Sequence, residues 1–308
     1  MTDQILVIKL GALGDFLQAA GPFAAIRTHH PDATITLLTT EPFRAFAEAS
    51  PWFDRVWIDT RPKVWQVKGW LSLRRRLRSV RFRRVYDLQT SDRSSSYFRL
   101  MAADDNNGPE WSGIAGGCSL PHDNPNRDFM HTLDRQAEQL AMAGIPDVHP
   151  PSFSWVEAET ARFGLDERYA LLVPGGAAHR PDKRWPAEKY GQLALTLMAR
   201  GLQPVLLGGG NESDLLEEIA EVAPHARSLA GETSIADIIQ LAREAACAVG
   251  NDTGPMHAAA LVGCPSVVLY SFASDPTLCA QRGPHVEILR RETLDDLSVD
   301  EVVAALPS

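Results

Sequence analysis

No apolar run in this 308-residue chain reaches the roughly 18 residues that a bilayer-spanning helix needs. The opening Met1-Thr2-Asp3-Gln4 has no basic stretch leading into an apolar one, so no secretory signal is expected. Cysteine is scarce. Cys118, Cys247, Cys264 and Cys279 stand far apart with no paired spacing, which argues against a structural zinc and for reduced thiols in a cytosolic protein. Positive charge is in deficit, with a net charge of −9, which speaks against broad nucleic-acid binding. No long internal repeat is evident. Two nucleotide signatures are also missing: no Gly-Lys-Ser/Thr follows a glycine loop, and no turn carries the full G-x-G-x-x-G with an acidic partner. A dinucleotide oxidoreductase is therefore the least supported class.

Hydrophobic residues make up 44% of the chain, enough for two globular domains with separate cores. Ile5-Leu6-Val7-Ile8 reads as a buried strand, followed by the turn Lys9-Leu10-Gly11-Ala12-Leu13-Gly14-Asp15 and an apolar helix from Phe16 to Ile26. Strand, glycine turn and helix open a doubly wound sheet. Asp15 stands where that helix begins. It is either a helix cap or a carboxylate at the strand's carboxyl edge, able to take a proton from a substrate hydroxyl. Strands are expected at 35–40, 56–58 and 83–89, the last leading into a polar turn from Thr90 to Ser95. The stretch 104–128 reads as a long loop rich in Gly, Asn, Pro and Asp, and 131–143 as a helix. The Pro-rich stretch 144–151 is read as the linker, giving domains 1–150 and 151–308.

The segment from Lys63 to Arg84 differs from the rest. It contains Trp65, Trp70 and several leucines, and seven arginines lie between Arg74 and Arg84. Arg74, Arg75 and Arg78 are either a solvated face or a site for an anionic acceptor or an anionic membrane surface.

The second half repeats the strand–turn–helix pattern. Tyr169 to Val173 reads as a strand, ending in Pro174-Gly175-Gly176 and the proline-flanked turn Lys183-Arg184-Trp185-Pro186 before a helix from Ala187. Further strands are expected at 203–207 and 266–270, with helices at 212–222 and 235–245. Ala245 to Val249 reads as a strand feeding Gly250-Asn251-Asp252-Thr253-Gly254-Pro255-Met256-His257, where Gly250 permits a sharp turn and Asp252 or Thr253 caps the next helix. A helix starting there aims free N–H groups and a positive dipole end at whatever lies above the strands, an arrangement that holds phosphate. A group transfer that releases a diphosphate leaves negative charge on the departing group. Many transferases neutralise it with a metal held by Asp-x-Asp. No such motif stands at a strand end here; Asp104-Asp105 and Asp295-Asp296 are in poor contexts. A lysine turn and a helix dipole are the natural substitutes.

Gly14-Asp15, Lys183-Arg184-Trp185-Pro186 and Asp252-Thr253-Gly254-Pro255-Met256-His257 together resemble glycosyltransferase family 9, the heptosyltransferases of lipopolysaccharide core assembly. The resemblance covers most of the chain. It implies an α/β fold of GT-B architecture, two Rossmann-like doubly wound domains facing across a cleft. It implies an inverting transferase with Asp15 as general base and no metal or cofactor beyond a nucleotide-sugar substrate such as ADP-heptose. Lys183 and Arg184 would meet the donor, Asp252 its sugar hydroxyls, and Thr253 and Gly254 its phosphate. Gly14 and Gly175 would line the donor site, with Glu212 at the ribose, Thr233 at the base and His257 orienting the loop. The implied acceptor is a lipid-linked or anionic saccharide, met at the cytoplasmic face of the inner membrane. A GT-B-type nucleotide-sugar epimerase or hydrolase, and a non-catalytic nucleotide-sugar binder, are the alternatives.

Overall fold

The computed structural model describes residues 2–101, 108–176 and 180–307. The chain divides into two compact units, Met1–Ser152 and Phe153–Ser308.

The first unit is built on strands β1 Gln4–Ile8, β2 Thr34–Thr39, β3 Arg55–Ile58, β4 Arg84–Asp87, β5 Glu110–Gly113 and β6 Leu120–Pro121. They form one sheet in the order β3-β2-β1-β4-β5-β6, parallel throughout. Ile5 to Ile8 are fully buried, as expected of a central strand covered on both faces. Helices Leu13–Gln18 and Ala20–His29 pack against helix Thr132–Met142. Helix Val67–Leu77 packs against helix Asp92–Met101.

Three expectations for this unit need correction. The helix foreseen over 16–26 is two helices meeting at Ala19. Pro22 has no N–H to offer Gln18 and its ring crowds that carbonyl, so one continuous helix cannot pass. The polar turn foreseen at 90–95 already enters helix Asp92–Met101, opened by reciprocal bonds between the backbone N–H and hydroxyl groups of Ser91 and Ser94. The loop foreseen over 104–128 contains β5 and β6; its Asp104-Asp105 pair lies outside the described residues. Trp111 of β5 is fully buried, but its neighbours Ser112 and Gly113 carry no β signal.

The second unit repeats the design with β7 Tyr169–Val173, β8 Gln203–Leu206, β9 Arg227–Ser228, β10 Cys247–Asn251, β11 Ser266–Tyr270 and β12 Val286–Arg290. The order is β12-β11-β10-β7-β8-β9, again parallel. Helices Ala187–Ala199, Ser213–Val222 and Val299–Ala304 pack together, and Ile235–Glu244 packs with Gly254–Leu261. Both sheets thus have the doubly wound order 3-2-1-4-5-6 counted from their own first strand. Each has its switch point beside that strand, at β1/β4 and at β7/β10, where open sheets bind ligands beyond the strand ends. All four cysteines are free thiols. Among the described residues no helix is long and apolar enough to cross a membrane.

Candidate active site

In the second unit the polar residues gather at the carboxyl ends of β7 and β10. Asn251 ends β10 and is completely buried. Its amide donates to the carbonyls of Pro174 (2.7 Å) and Gly175 (3.1 Å) and accepts from the Trp185 N–H and the Tyr190 hydroxyl, both at 3.1 Å. One side chain therefore ties the β7 loop, the basic turn and the helix from Ala187. Gly250, foreseen as a turn residue, lies inside β10. A Cβ there would stand 2.7 Å from Met256 Sδ and from Val173 Cβ, so glycine serves close packing.

The basic turn is anchored by its tryptophan. Trp185 is buried, donates from its indole to the Leu297 carbonyl at 3.0 Å, and meets Tyr190 edge-on. Burying such a ring contributes roughly 2–3 kcal/mol, enough to hold a loop that carries two half-buried cations just before it. Lys183 Nζ donates to Asp252 Oδ2 at 2.7 Å, with the lysine side chain 13% and the aspartate 8% exposed. Arg184 donates to the Gly176 carbonyl at 2.6 Å, while its buried Nε has no hydrogen-bond partner among the described residues.

Asp252 is caged. Oδ2 also accepts from Ser274 at 2.7 Å, and Oδ1 accepts from Tyr270 at 3.0 Å and Gln281 at 3.1 Å. Gln281 in turn contacts His257 Nε2 at 3.2 Å. Burial raises the pKa of Asp252. The bonds from Lys183 and Ser274, with the charges of Lys183 and His257, outweigh burial and hold the carboxyl below its ordinary value. Asp252 is therefore ionised near neutral pH.

Neither expected cap forms at helix Gly254–Leu261. Thr253 occupies the N-cap position without a side-chain cap bond, and its buried hydroxyl has no partner among the described residues. The hydroxyl and the first-turn N–H groups are thus left to serve another acceptor. Glu212 accepts from the N–H groups of Gly176 (2.9 Å) and Gly209 (2.8 Å), clamping the β7 loop to the β8 loop. Gly175 permits this, because a Cβ there would stand 2.1 Å from Glu212 Oε1. Gly231 N–H bonds the Gly208 carbonyl, so the loop carrying the half-buried Thr233 joins the same edge. Lys183, Arg184, Gly175, Glu212, Thr233, Asp252, Thr253, Gly254 and His257 are all in this unit, on connected loops and on the first turn of helix Gly254–Leu261. Tyr270, Ser274 and Gln281 were not foreseen.

In the first unit Asp15 is the third residue of helix Leu13–Gln18, whose N-cap position is held by Ala12. It is therefore not a cap. Asp15 is exposed and Gly14 beside it is buried. The turn before it is pinned from three sides: Lys9 Nζ to the Leu88 carbonyl (3.1 Å), Leu10 N–H to Gln89 Oε1 (2.7 Å), and the Thr40 hydroxyl to the Leu10 carbonyl (3.1 Å). Gly11, at φ +123°, makes the bend, which a side chain would strain. Below it Asp87 is fully buried. Burial pushes its pKa up to about 6, against the pull of the Ser94 hydroxyl, two backbone N–H groups and Lys9. Arg74, Arg75 and Arg78 are exposed at the end of helix Val67–Leu77, and no ion pair holds them among the described residues.

Two successive doubly wound units, the second with its cations and an uncapped helix start at the switch point, place this protein in the GT-B class. That class hosts more than one chemistry. The sequence profile of glycosyltransferase family 9 (heptosyltransferase) matches residues 70–296, and the chain belongs to that family. The match takes in the basic turn and the Asp252–His257 motif but begins after Asp15. Lipopolysaccharide heptosyltransferase 2 of Salmonella typhimurium is 38% identical over 113 residues, 35% of this chain and 32% of that protein. Several curated heptosyltransferase 2 relatives are likewise matched over only about a third of their length. Solved structures align over nearly the whole chain. The ADP-heptose lipopolysaccharide heptosyltransferase II of Escherichia coli has a TM-score of 0.77 at 22% identity, over 98% of this chain and 97% of that one. The family 9 glycosyltransferase of Veillonella parvula has a TM-score of 0.80 at 20% identity, over 98% and 95%.

Proposed function

We propose that this chain moves heptose from an ADP-activated donor onto the saccharide core of lipopolysaccharide, with inversion, at the cytoplasmic face of the inner membrane. The second unit binds the donor and the first the acceptor. The acceptor hydroxyl oxygen attacks the anomeric carbon as the carbon–oxygen bond to the diphosphate breaks. Asp15 takes the hydroxyl proton, which its exposed position allows. The leaving diphosphate gathers negative charge, which Lys183, Arg184 and the helix start at Thr253–Gly254 stabilise; the uncapped helix start and the tryptophan-anchored basic turn support this role. Glu212 and Thr233 lie at the nucleoside, and Asp252 reaches the sugar while steering Lys183.

The observation that carries this reading is the pairing, on one sheet edge, of a tryptophan-anchored cationic turn with an uncapped helix N-terminus in a chain of this family. A thermal-shift screen of nucleotide sugars tests the donor, since a ligand that binds only the folded state raises the melting point. Asp15→Asn tests the base: turnover should fall by about 100-fold or more while donor affinity holds. Unchanged turnover in that variant removes Asp15 from the mechanism.

A further inference from the structure

The arginine-rich helix of the first unit does two separate jobs on two faces. Leu73 and Leu77 are buried in the core, with Trp70 packed against them. Arg76 donates to the Ile58 carbonyl at 3.0 Å and lies over the Trp57 ring, so it too belongs to the fold. The other face points to solvent. At 3.6 residues per turn, Val67, Lys68, Leu71, Arg74, Arg75 and Arg78 fall within about 120° of the helix circumference. All six are exposed, Val67 at 63% and Leu71 at 55%. The residues leading into the helix extend the pattern, with Val64 86% and Trp65 73% exposed and the Lys63 ammonium over the Trp65 ring. Half of the large exposed hydrophobic side chains among the described residues thus lie between Val64 and Leu71.

We infer that this outward face, from Val64 to Arg78, is a docking surface for an anionic lipid bilayer. Charge argues for an anionic partner: the chain carries a net −9, yet this face collects cations that no carboxylate neutralises among the described residues. The apolar groups decide which partner. A phosphorylated saccharide in water would be held by the cations alone. Exposed valine, leucine and indole groups set beside Lys63 and Lys68 and followed by arginines instead match the headgroup boundary, where apolar side chains insert and cations stay with the phosphates. The purpose of docking rests on the lipid-linked acceptor proposed above; the surface itself does not.

The test is vesicle flotation of the full chain with phosphatidylcholine alone and with about 30% phosphatidylglycerol added. The wild type should float with the anionic vesicles only, less so as salt rises. R74Q/R75Q/R78Q should lower partition on the order of 100-fold, about fivefold per charge. W65S/L71S should lower it while leaving the salt dependence in place. A wild-type circular dichroism spectrum and a cooperative melting transition within a few degrees of the wild type show that each variant is folded. Equal binding to neutral vesicles, no binding to either, binding unchanged in both variants, or self-association of the chain through this face would overturn the inference. Transfer to a delipidated acceptor saccharide separates the two readings. A wild type that floats but transfers nothing keeps the docking surface and loses the activity; one that transfers but never floats does the reverse.

Discussion

Replacing Asp252 by asparagine should lower stability and turnover but raise nucleotide affinity. The carboxylate accepts from Lys183, Ser274, Tyr270 and Gln281, so an amide in its place turns one acceptor into a donor facing two of them. The hydroxyls can rotate and Gln281 can flip, so the loss is about 2 kcal/mol, read as a fall of roughly 5 °C in melting temperature. Nucleotide affinity moves the other way. A diphosphate taken up by Lys183 would lie about 6 Å from the Asp252 charge. At an effective dielectric of roughly 20–40, the repulsion removed is about 1.5–3 kcal/mol per phosphate charge. ADP should therefore bind Asp252→Asn at least about tenfold more tightly than the wild type, measured by calorimetry. Turnover with the complete donor should drop, because the sugar loses its acceptor and the product is held longer. Weaker ADP binding in a variant that melts within a few degrees of the wild type would refute the reasoning. It would mean that Lys183 does not turn from Asp252 to the diphosphate.

Lys183→Met should weaken ADP binding roughly 10- to 100-fold, the cost of one charge-assisted contact, while Asp252 keeps three of its donors; unchanged calorimetry would count against the lysine. Asn251→Ala leaves the buried Trp185 N–H and Tyr190 hydroxyl without their partner and frees two carbonyls, so melting should fall by about 10 °C, from roughly 3–5 kcal/mol. Asp87 gives a pH signature. Its folded pKa, about 6, lies above the ordinary 3.8, so the folded state binds the proton more tightly. The stability this confers is full below about pH 4 and is lost as pH rises through 6. The melting difference between wild type and Asp87→Asn, followed from pH 4 to 7, should therefore shift against the wild type as pH rises; a flat difference would show that Asp87 does not titrate there.

Much of the fold was legible because its central strands are covered on both faces. Ile5 to Ile8, Tyr169 to Val173 and Ser266 to Tyr270 read as continuous apolar runs and are buried in that form. Of the four edge strands only β3 was legible. β6 and β9 have two residues each, too few for any periodicity, and β12 had no distinct signal, with Glu287 and Arg290 exposed among half-buried neighbours. Gly250 was misread because glycine at a strand end signals a turn and a close contact equally well; only Met256 and Val173 distinguish them. The Lys183 turn and the Asp252–His257 motif stood out as contiguous residue patterns. The cage around Asp252 did not, because Tyr270, Ser274 and Gln281 come from 18, 22 and 29 residues downstream and return only through the fold of the second sheet.

The near-contact of Gly175 with Glu212 carries a message for natural variation. A methyl group at 175 and a full-length glutamate at 212 cannot occupy the same 2 Å, so drift at one position constrains drift at the other. Homologous chains with alanine or serine at the first position should carry a shorter residue at the second, and the two loops it fastens should then be stitched together by some other acceptor.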